Sequence, residues 1–366
     1  MKNVHKEISD FAYFCSYNNG CHGYCLQGAF FEKSNNGELN MRLPTENIAL
    51  ITGDSILAGQ VKSYSTIFPL GGEGWHKLRL VFKHVLTGTT DALPNILGSY
   101  LFVKNITFRT SKNETIFAAP GMSFYHVSYL TNGVEPHYDN IVANGGTFYA
   151  VIDLPFVLPM LARKEDLMLD SGRYNIVELE IQLGGLADFC RTVGDLAIIS
   201  TLDISLIRSK GCFTATGKPV ALPYIKHVTP FQAVTKGYVD LESARDLCVF
   251  GLFAAAHDLA TWGCVGNAYE GVPADCLTDI SFQDNILTYL RHIQLGTFQE
   301  ERAHYSNNRA YTGMYPWIFT REGSIYNAYW TGAKSELKFV VGNGNLGTPT
   351  TPQIDLVMFG MRQMRD

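Results

Sequence analysis

The sequence predicts an all-β fold built from two similar units, and three observations lead to this prediction. Apolar and polar residues alternate along many segments, as they do in strands that bury one face. No long helical segment separates these strands, which disfavours a parallel βαβ fold. A hexapeptide of the first half, V-K-N-I-T-F at 103–108, returns in the second half as L-T-D-I-S-F at 277–282.

Three further matches follow the hexapeptide in the same order along both halves. They are 154–156 with 315–317, 177–181 with 335–339 and 203–207 with 355–359. The offset falls from 174 residues to 161, 158 and 152, as expected when two related domains differ in loop length. The alternative is that unrelated strands share one alternation, because strands draw on a small set of β-branched and aromatic residues. The preserved order favours an internal duplication.

Strands dominate the first half of the chain. The alternation predicts strands over Trp75–Leu86, 100–108, 148–152, 177–181 and 196–206. Clusters of Gly and Asn separate them, which is the turn chemistry of antiparallel sheets. A segment with two glycines and two prolines, Ser209–Pro223, is the predicted linker to the second unit.

The second half resumes the strand pattern after this linker. Strands are predicted over 246–255, 278–282, 314–320, 324–330, 336–341 and 352–362, and an inserted helix is predicted within Gln283–Tyr305. The stretch Leu247–Phe253 is apolar without alternation, which indicates burial of both of its faces. An interface between the two units would bury it in this way.

The length of 366 residues accommodates two units of about 150 residues each. We expect an N-terminal arm over 1–45, a first unit over 46–208 and a second unit over 209–366. Regularly spaced strands, with eight in each unit, suggest sandwiches or jelly rolls packed side by side.

Composition narrows the function classes. Hydrophobic residues make up 46% of the chain and charged residues 17%, which argues against disorder and fits a subunit that buries surface against partners. The net charge of −5 and the lack of a Lys/Arg run argue against direct nucleic-acid binding. The first nine residues lack the apolar stretch of a secretory signal, and the run Leu247–Ala256 is too short to span a membrane.

The cysteines predict no disulfide framework. Eight of them, at positions 15, 21, 25, 190, 212, 248, 264 and 276, are scattered, and reduced thiols in a cytoplasm are the simpler interpretation. Cys15, Cys21, His22 and Cys25 place soft ligands close together but lack the paired C-x2-C spacing of zinc sites. They are candidates for metal binding or for ordinary thiols of the arm. We predict no metal and no cofactor.

Catalytic signatures are absent, since the chain has no G-x-S-x-G, H-E-x-x-H or EF-hand pattern. Gly211–Pro219 resembles a phosphate loop, but it has five residues between its glycines and ends in proline, so we assign it to the linker. Glu165, Asp166 and Asp170 could supply an acid and a base for glycoside hydrolysis, but they fit an exposed mixed-charge loop better. We therefore predict no catalytic residues and a protein that is not an enzyme.

Three further groups of residues are considered as functional sites: histidines, sequons and aromatic residues. Five histidines lack a matched nucleophile, and most of them are expected at the surface or rim: His22, His76, His84, His126 and His137. The sequons at Asn105 and Asn113 would matter only in a secretory pathway. Aromatic residues of the last quarter suit a sugar-binding platform or, as we expect, the core and subunit interfaces: Tyr305, Tyr311, Tyr315, Trp317, Phe319, Tyr326, Tyr329 and Trp330.

Two parts of the chain resemble a known family. I-D-L-P-F at 152–156, with L-D-S-G-R-Y-N at 169–175 and V-E-L-E-I at 177–181, is similar to the first barrel of double jelly-roll major capsid proteins. Gly98–Phe108 resembles the early strands of the same family, with L-T-D-I-S-F as its counterpart. The resemblance covers roughly residues 46–362 as architecture. Such proteins build tailless icosahedral viruses, bacteriophages among them, many of which have an internal membrane.

This resemblance implies two eight-stranded antiparallel jelly rolls side by side, with the inserted helix in the second. Three copies would form a pseudo-hexagonal homotrimer, and trimers would tile an icosahedral virion shell. Minor or vertex capsid proteins and an internal membrane would be further partners, and the protein would be made in the host cytoplasm. The alternatives are a paired jelly-roll protein that binds or cleaves glycans, and a phage fibre or receptor-binding protein.

Overall fold

The computed structural model describes the strands of both halves and most of the first unit. The described residues are 30–33, 39–42, 45–88, 93–94, 97–111, 114–132, 136–137, 139, 146–157, 168–192, 195, 197–209, 221–232, 236–240, 247–258, 264–265, 268–269, 277–285, 287–292, 314–319, 328–331, 337–343 and 352–363.

Strands account for most of the described first half. They are β1 (Phe30–Lys33), β2 (Leu39–Arg42), β3 (Thr45–Ile56), β4 (Val61–Tyr64), β5 (Gly74–Thr87), β6 (Leu93–Pro94), β7 (Val103–Thr110), β8 (Thr115–Ala119), β9 (Gly146–Pro155), β10 (Leu169–Asp170), β11 (Val177–Leu183), β12 (Cys190–Thr192) and β13 (Ala197–Ser209). The helices described in this half are α1 (Gly98–Leu101), α2 (Gly121–Asn132) and α3 (Leu186–Phe189), with a 3-10 turn at Ser171–Arg173.

The described second half consists of strands. They are β14 (Ala221–Gln232), β15 (Lys236–Asp240), β16 (Leu247–Asp258), β17 (Cys264–Val265), β18 (Ala268–Tyr269), β19 (Leu277–Asp284), β20 (Leu287–His292), β21 (Met314–Ile318), β22 (Tyr329–Trp330), β23 (Leu337–Asn343) and β24 (Pro352–Gln363).

The first unit forms two antiparallel sheets with a defined pairing order. Its strands of four or more residues within the described ranges are, from first to eighth, β3, β4, β5, β7, β8, β9, β11 and β13. One sheet has the order β3-β13-β5-β9, and the other has the order β4-β11-β7-β8. In terms of chain position, these orders are 1-8-3-6 and 2-7-4-5. This is the arrangement of an eight-stranded jelly roll, in which two Greek keys form two facing sheets.

The second unit repeats this arrangement. Its described strands of five or more residues are, from first to eighth, β14, β15, β16, β19, β20, β21, β23 and β24. They form sheets in the orders β14-β24-β16-β21 and β15-β23-β19-β20. These orders are again 1-8-3-6 and 2-7-4-5, so the predicted pair of eight-stranded jelly rolls is confirmed.

The four sequence matches fall on equivalent strands of the two units. The hexapeptides lie in the fourth strands, β7 and β19, and the apolar-proline-aromatic matches lie in or at the end of the sixth strands, β9 and β21. The described residues of the remaining matches lie in the seventh and eighth strands of each unit. The internal duplication is therefore visible in the topology and does not rest on shared alternation alone.

Alternating residues build the core of the first unit. On β5, every second residue from Leu78 to Leu86 is buried, whereas Lys83 on the opposite face is exposed. Aromatic rings fill the space between the sheets: Phe108 of β7 contacts the rings of Trp75, Phe117 and Phe156 at centroid distances of 6.5, 6.1 and 5.2 Å. Each large ring buries much apolar area, so this cluster holds the two sheets together.

The two units share one continuous sheet and point the same way. The edge strand β8 of the first unit pairs in parallel with β14 of the second, through Ile225 opposite Phe117. Consecutive strands alternate in direction, and β8 and β14 are the fifth and first strands of their units. A parallel pair of odd-numbered strands therefore gives both jelly rolls the same orientation.

This orientation gives the molecule two distinct ends. At one, the loop end, lie the connections that follow odd-numbered strands, and these contain α1, α2 and α3. At the other, the linker end, β3 and β14 begin and β13 and β24 finish. The first and last strands of both units thus begin and end away from the three helices of the first unit.

Strand β16 is buried on both faces, as the sequence predicts. Residues 247–252 are all buried, and so is Ala254. Buried residues of both units belong to one hydrophobic cluster, which includes Phe117 of the first and Ile225 of the second. The boundaries predicted for the two units remain a proposal, with β13 ending at Ser209 and β14 starting at Ala221.

Two predicted elements are wrong where the structure describes them. The helix predicted within Gln283–Tyr305 is a strand at β20, which follows a tight turn where Asn285 adopts a φ of 53°. Asn tolerates this left-handed conformation, so a hairpin forms instead of a helix. Residues 293–305 lie outside the described ranges. The strand predicted from residue 100 begins only at Val103, because Tyr100 belongs to α1.

Helix α2 is the longest helix among the described residues. It follows Pro120, a residue well suited to a helix start, and residues 121–127 are all buried. A side chain on Gly121 would place its Cβ 2.5 Å from the carbonyl oxygen of Tyr100, so glycine permits the close approach of α1 and α2. No described helix combines the length and the apolar character needed to cross a membrane.

Candidate functional site

Of the residues singled out for catalysis or metal binding, the structure describes only Asp170. Cys15, Cys21, His22 and Cys25, the carboxylates Glu165 and Asp166, and Gly211–Pro219 all lie outside the described residues. Asp170 lies at the start of the 3-10 turn, where its Oδ1 accepts a hydrogen bond of 3.0 Å from the Gly172 amide. Within the described ranges, no three potential ligands cluster to hold a metal ion.

The histidines divide into exposed and buried ones, and the prediction of surface positions is wrong for two of them. His137 is exposed, with its Nε2 3.4 Å from Asp139 Oδ1. His84 and His126 are buried. Burial opposes the charged form of an imidazole and lowers the pKa of each of these two to about 3. Both are therefore neutral at physiological pH.

The described aromatic residues of the last quarter support the core interpretation more than a sugar-binding platform. Tyr315 is fully buried, and the rings of Phe319 and Tyr329 pack against each other at 5.7 Å. Trp330 alone among the described large aromatics of this quarter is exposed, at 53%. Tyr305, Tyr311 and Tyr326 lie outside the described residues, as does the side chain of Trp317.

A charged cleft of about 410 Å3 lies between α2 and the strands β5 and β9. Arg79 donates from Nε to Asp153 Oδ1 at 2.8 Å, and Lys77 donates to Oδ2 at 2.6 Å. Burial opposes ionisation of Asp153, but these hydrogen bonds outweigh it and hold its pKa below the usual value. A carboxylate kept ionised in this way cannot serve as a general acid near neutral pH. The cleft therefore contains a structural ion pair that ties β5 to β9.

Two further polar networks tie strands together in the first unit. Arg208 of β13 binds Glu46 of β3 and Glu73, which precedes β5. Asp54 accepts hydrogen bonds from Tyr64 at 2.6 Å and Lys62 at 3.1 Å, and the Tyr64 bond is the main cause of its lowered pKa. The Arg208–Glu46 contact joins the paired strands β13 and β3, and the contacts of Asp54 join β3 of one sheet to β4 of the other.

The most unusual polar group is His84, whose ring lies inside an aromatic cage. The rings of Phe82, Phe102 and Phe189 surround it at centroid distances of 6.1, 5.5 and 4.6 Å. Its Nδ1 lies 2.8 Å from Ser200 Oγ, whereas its buried Nε2 has no hydrogen-bond partner. Sequence alternation identifies His84 as inward-facing on β5, a signal that the surface prediction did not use.

Exposed apolar side chains lie on the outer surface of the first unit. Ile199 of β13 is 61% exposed, and Tyr149 of β9 is exposed on the same face of the same sheet. Leu57, in the turn between β3 and β4 at the loop end, is 66% exposed. Ile199 and Tyr149, which share one face of the sheet, are the candidates for contacts between subunits.

Sequence comparison gave no relatives, because no protein-family model and no curated protein matches the chain. Comparison with solved structures gave strong matches. The STIV major capsid protein, from Sulfolobus turreted icosahedral virus, matches with a TM-score of 0.65 at 11% identity, over 87% of this chain and 97% of that chain.

Two other viral shell proteins match over similar lengths. The major capsid protein of bacteriophage PM2 gives a TM-score of 0.56 at 12% identity, over 88% of this chain and 98% of that one. The Faustovirus major capsid protein gives 0.56 at 6% identity, over 88% and 90%. At these identities the likeness establishes the fold alone, and these three viral major capsid proteins share that fold.

Proposed function

We propose that this chain, which has the fold of viral major capsid proteins, is itself a major capsid protein that assembles into an icosahedral virion shell. The observation that carries the proposal is the pair of jelly rolls with the same pairing order and the same orientation, joined through β8 and β14. The likeness to shell proteins from several viruses supports it.

The geometry suits a trimer. Two similar jelly rolls in one chain, repeated three times about an axis, give six similar bodies around a three-fold axis. Such a block approximates six-fold symmetry and can occupy the hexagonal positions of a lattice. Because a trimer has closed symmetry, every subunit in it makes the same contacts with its two neighbours. We propose pseudo-hexagonal homotrimers that tile the shell, with minor or vertex proteins completing it.

The same proposal implies where the protein is made, where it resides and what it contacts. The protein would be made in the host cytoplasm and reside in the virion, and an internal membrane would be a further partner. The described residues supply structural ion pairs and a packed core, which is what a shell protein requires. Its role in this proposal is architectural, without catalysis.

The test is a mass measurement of the purified protein by light scattering, followed by electron microscopy. Three copies of the 40.7 kDa chain weigh about 122 kDa, so a homotrimer should give this mass and hexagonal particles in projection. A monomer that binds or cleaves glycans would contradict the proposal and favour the glycan alternative. An elongated fibrous trimer would instead favour a fibre protein.

A further inference from the structure

The cage around His84 joins three separate elements at the loop end of the first unit. His84 and Phe82 come from β5, Phe102 follows α1 directly, and Phe189 ends α3. The two helices have only four residues each, so side-chain packing rather than helix length holds them in place. The cage thus packs α3 and the residue after α1 against the sheet.

The ring occupies this cage only as a neutral imidazole. Three phenyl rings and the Ser200 hydroxyl contact it, its register partner on β9 is Phe148, and none of these groups carries a negative charge. The buried Nε2 has no hydrogen-bond partner, so a proton placed there would meet no acceptor among the described residues. Protonation of His84 would therefore raise the free energy of the folded cage much more than that of an opened cage.

The charged groups on the surrounding elements do not relieve this cost. On β5, β9 and β13 they belong to the outer face of the sheet, opposite to His84: Lys77, Arg79, Lys83, Tyr149, Asp153 and Asp203. Farther along these strands, His76 bonds Ser209, and Arg208 bonds Glu46 and Glu73.

The helical side of the cage supplies no free carboxylate either. On α3, Asp188 is paired with Lys104 and accepts the Gly185 amide. Next to Phe189, burial raises the pKa of the Cys190 thiol to about 11, so this thiol stays neutral. In α1, the Tyr100 hydroxyl donates to the Val151 carbonyl at 2.8 Å.

We propose that the His84 cage is an acid-sensitive latch, in which protonation of the ring releases α3 and the segment after α1 from the sheet and opens the loop end of the first unit. In a shell, this opening would loosen the subunits on exposure to acid, a consequence that rests on the proposed function. The latch itself is a property of the single chain.

The pH window follows from the sign of the shift. Because the pKa of His84 falls from its usual 6.5 to about 3 in the folded state, the stabilisation is complete above 6.5 and is lost as the pH falls towards 3. Between about pH 7.5 and pH 5, the population of the opened cage should rise about thirtyfold.

The thiols Cys190 and Cys248 report this opening separately. Both are buried, but Cys190 adjoins Phe189 of the cage, whereas Cys248 lies in β16 of the second unit. The purified protein is labelled with 4,4′-dithiodipyridine, which reacts with thiols in acid, and each cysteine is quantified by peptide mass spectrometry. Each rate is divided by the rate of the same cysteine in urea-unfolded protein at the same pH, because the reactivity of a thiol itself changes with pH. On this normalised scale, Cys190 should become labelled up to about thirty times faster at about pH 5 than at pH 7.5, while Cys248 stays protected.

The variant His84→Phe keeps an aromatic ring in the cage and removes the titrating group. It should abolish the acid-dependent rise at Cys190, whereas His137→Gln, at an exposed histidine, should leave it intact. The proposal is overturned if Cys190 and Cys248 of the unmodified protein become labelled together, or if Cys190 shows no rise. It is also overturned if His84→Phe folds and retains the wild-type pH profile. None of these outcomes depends on whether the protein forms trimers.

Discussion

Buried aromatic side chains hold the two sheets of the first unit together, and Phe108 is the clearest case. It is fully buried and contacts the rings of Phe68, Trp75, Phe117 and Phe156. Its position as the last residue of the repeated hexapeptide marks it as inward-facing from sequence alone. The identity of its partners depends on distant strands and could not be read from the sequence.

Phe108→Ala should lower the free energy of unfolding by about 3–5 kcal/mol, because it removes a large buried ring and leaves a cavity between the sheets. Urea denaturation followed by circular dichroism measures this loss. The matched control is Ile199→Ala, which truncates an exposed apolar side chain and should change stability by less than about 0.5 kcal/mol. Equal losses in the two variants would contradict the proposed core.

Asp153 contributes stability that depends on pH. Its pKa is lowered in the folded state from the usual 3.8, so the stabilisation is present above that value and is lost as the pH falls through the folded pKa. Asp153→Asn should cost about 1–2 kcal/mol at neutral pH, because Lys77 and Arg79 lose their charged acceptor. The same comparison in strong acid should show a smaller difference.

Urea denaturation at both pH values checks the Asp153 prediction. Lys83→Gln is the control, since Lys83 is an exposed cation on the same face of β5 as Lys77 and Arg79. It should leave the stability almost unchanged at either pH. A pH-independent loss in Asp153→Asn would show that packing of the side chain, and not its charge, is what matters.

At the scale of elements, alternation predicted the strands well, and the repeat predicted which strands of the two units are equivalent. The observed strand pairing refines the residue-by-residue alignment of the two units. Phe108 faces Leu179, whereas Phe282 faces Phe339, so the seventh strands align with an offset of 160 residues where the sequence match gives 158. A shift of two keeps every side chain on its face, so the match found the correct faces with the wrong register.

Helices were the elements that sequence patterns predicted poorly. Residues 121–127 of α2 are all buried, and a helix buried on every side has no polar face to give a periodicity of 3.6. Conversely, Ile286, Leu290 and Ile293 have helical spacing, but Leu290 lies in the hairpin strand β20. Pairing with β19 overrides this local pattern, because sheet formation depends on distant partners.

The outer face of the first sheet should form contacts between copies if the proposed shell is correct. Ile199 is exposed there, beside Val85 and across the sheet from Thr147 by strand register. Ile199→Asp should weaken self-association at least tenfold by placing a charge in an apolar contact, without lowering stability by more than about 0.5 kcal/mol.

Leu57→Asp is the control for this contact. Leu57 is similarly exposed but lies at the loop end, so its replacement should leave the trimer intact. Sedimentation velocity over a range of protein concentrations distinguishes the two variants. The contact is assigned to the wrong surface if Leu57→Asp dissociates the trimer and Ile199→Asp does not.

At the scale of the whole molecule, the parallel pair of β8 and β14 determines polarity. It aligns the two jelly rolls, so that the helices of the first unit lie at one end and the strand termini Thr45 and Gln363 lie at the other. The sequence predicted two units side by side but contains no signal for their relative direction. That direction depends on two residue pairs between strands far apart in the chain.

This polarity predicts which end faces outward in a shell. The outer surface of a closed shell has more area than the inner one, so the end with the larger connections should point out. An epitope inserted between Asn132 and Gly146, in the connection that contains α2, should therefore bind antibody on intact particles. The same epitope added after Asp366, which follows β24 at the linker end, should bind only after the particles are opened. Immunogold labelling before and after disruption measures both, and equal labelling of intact particles by the two variants would contradict a fixed polarity of the subunit.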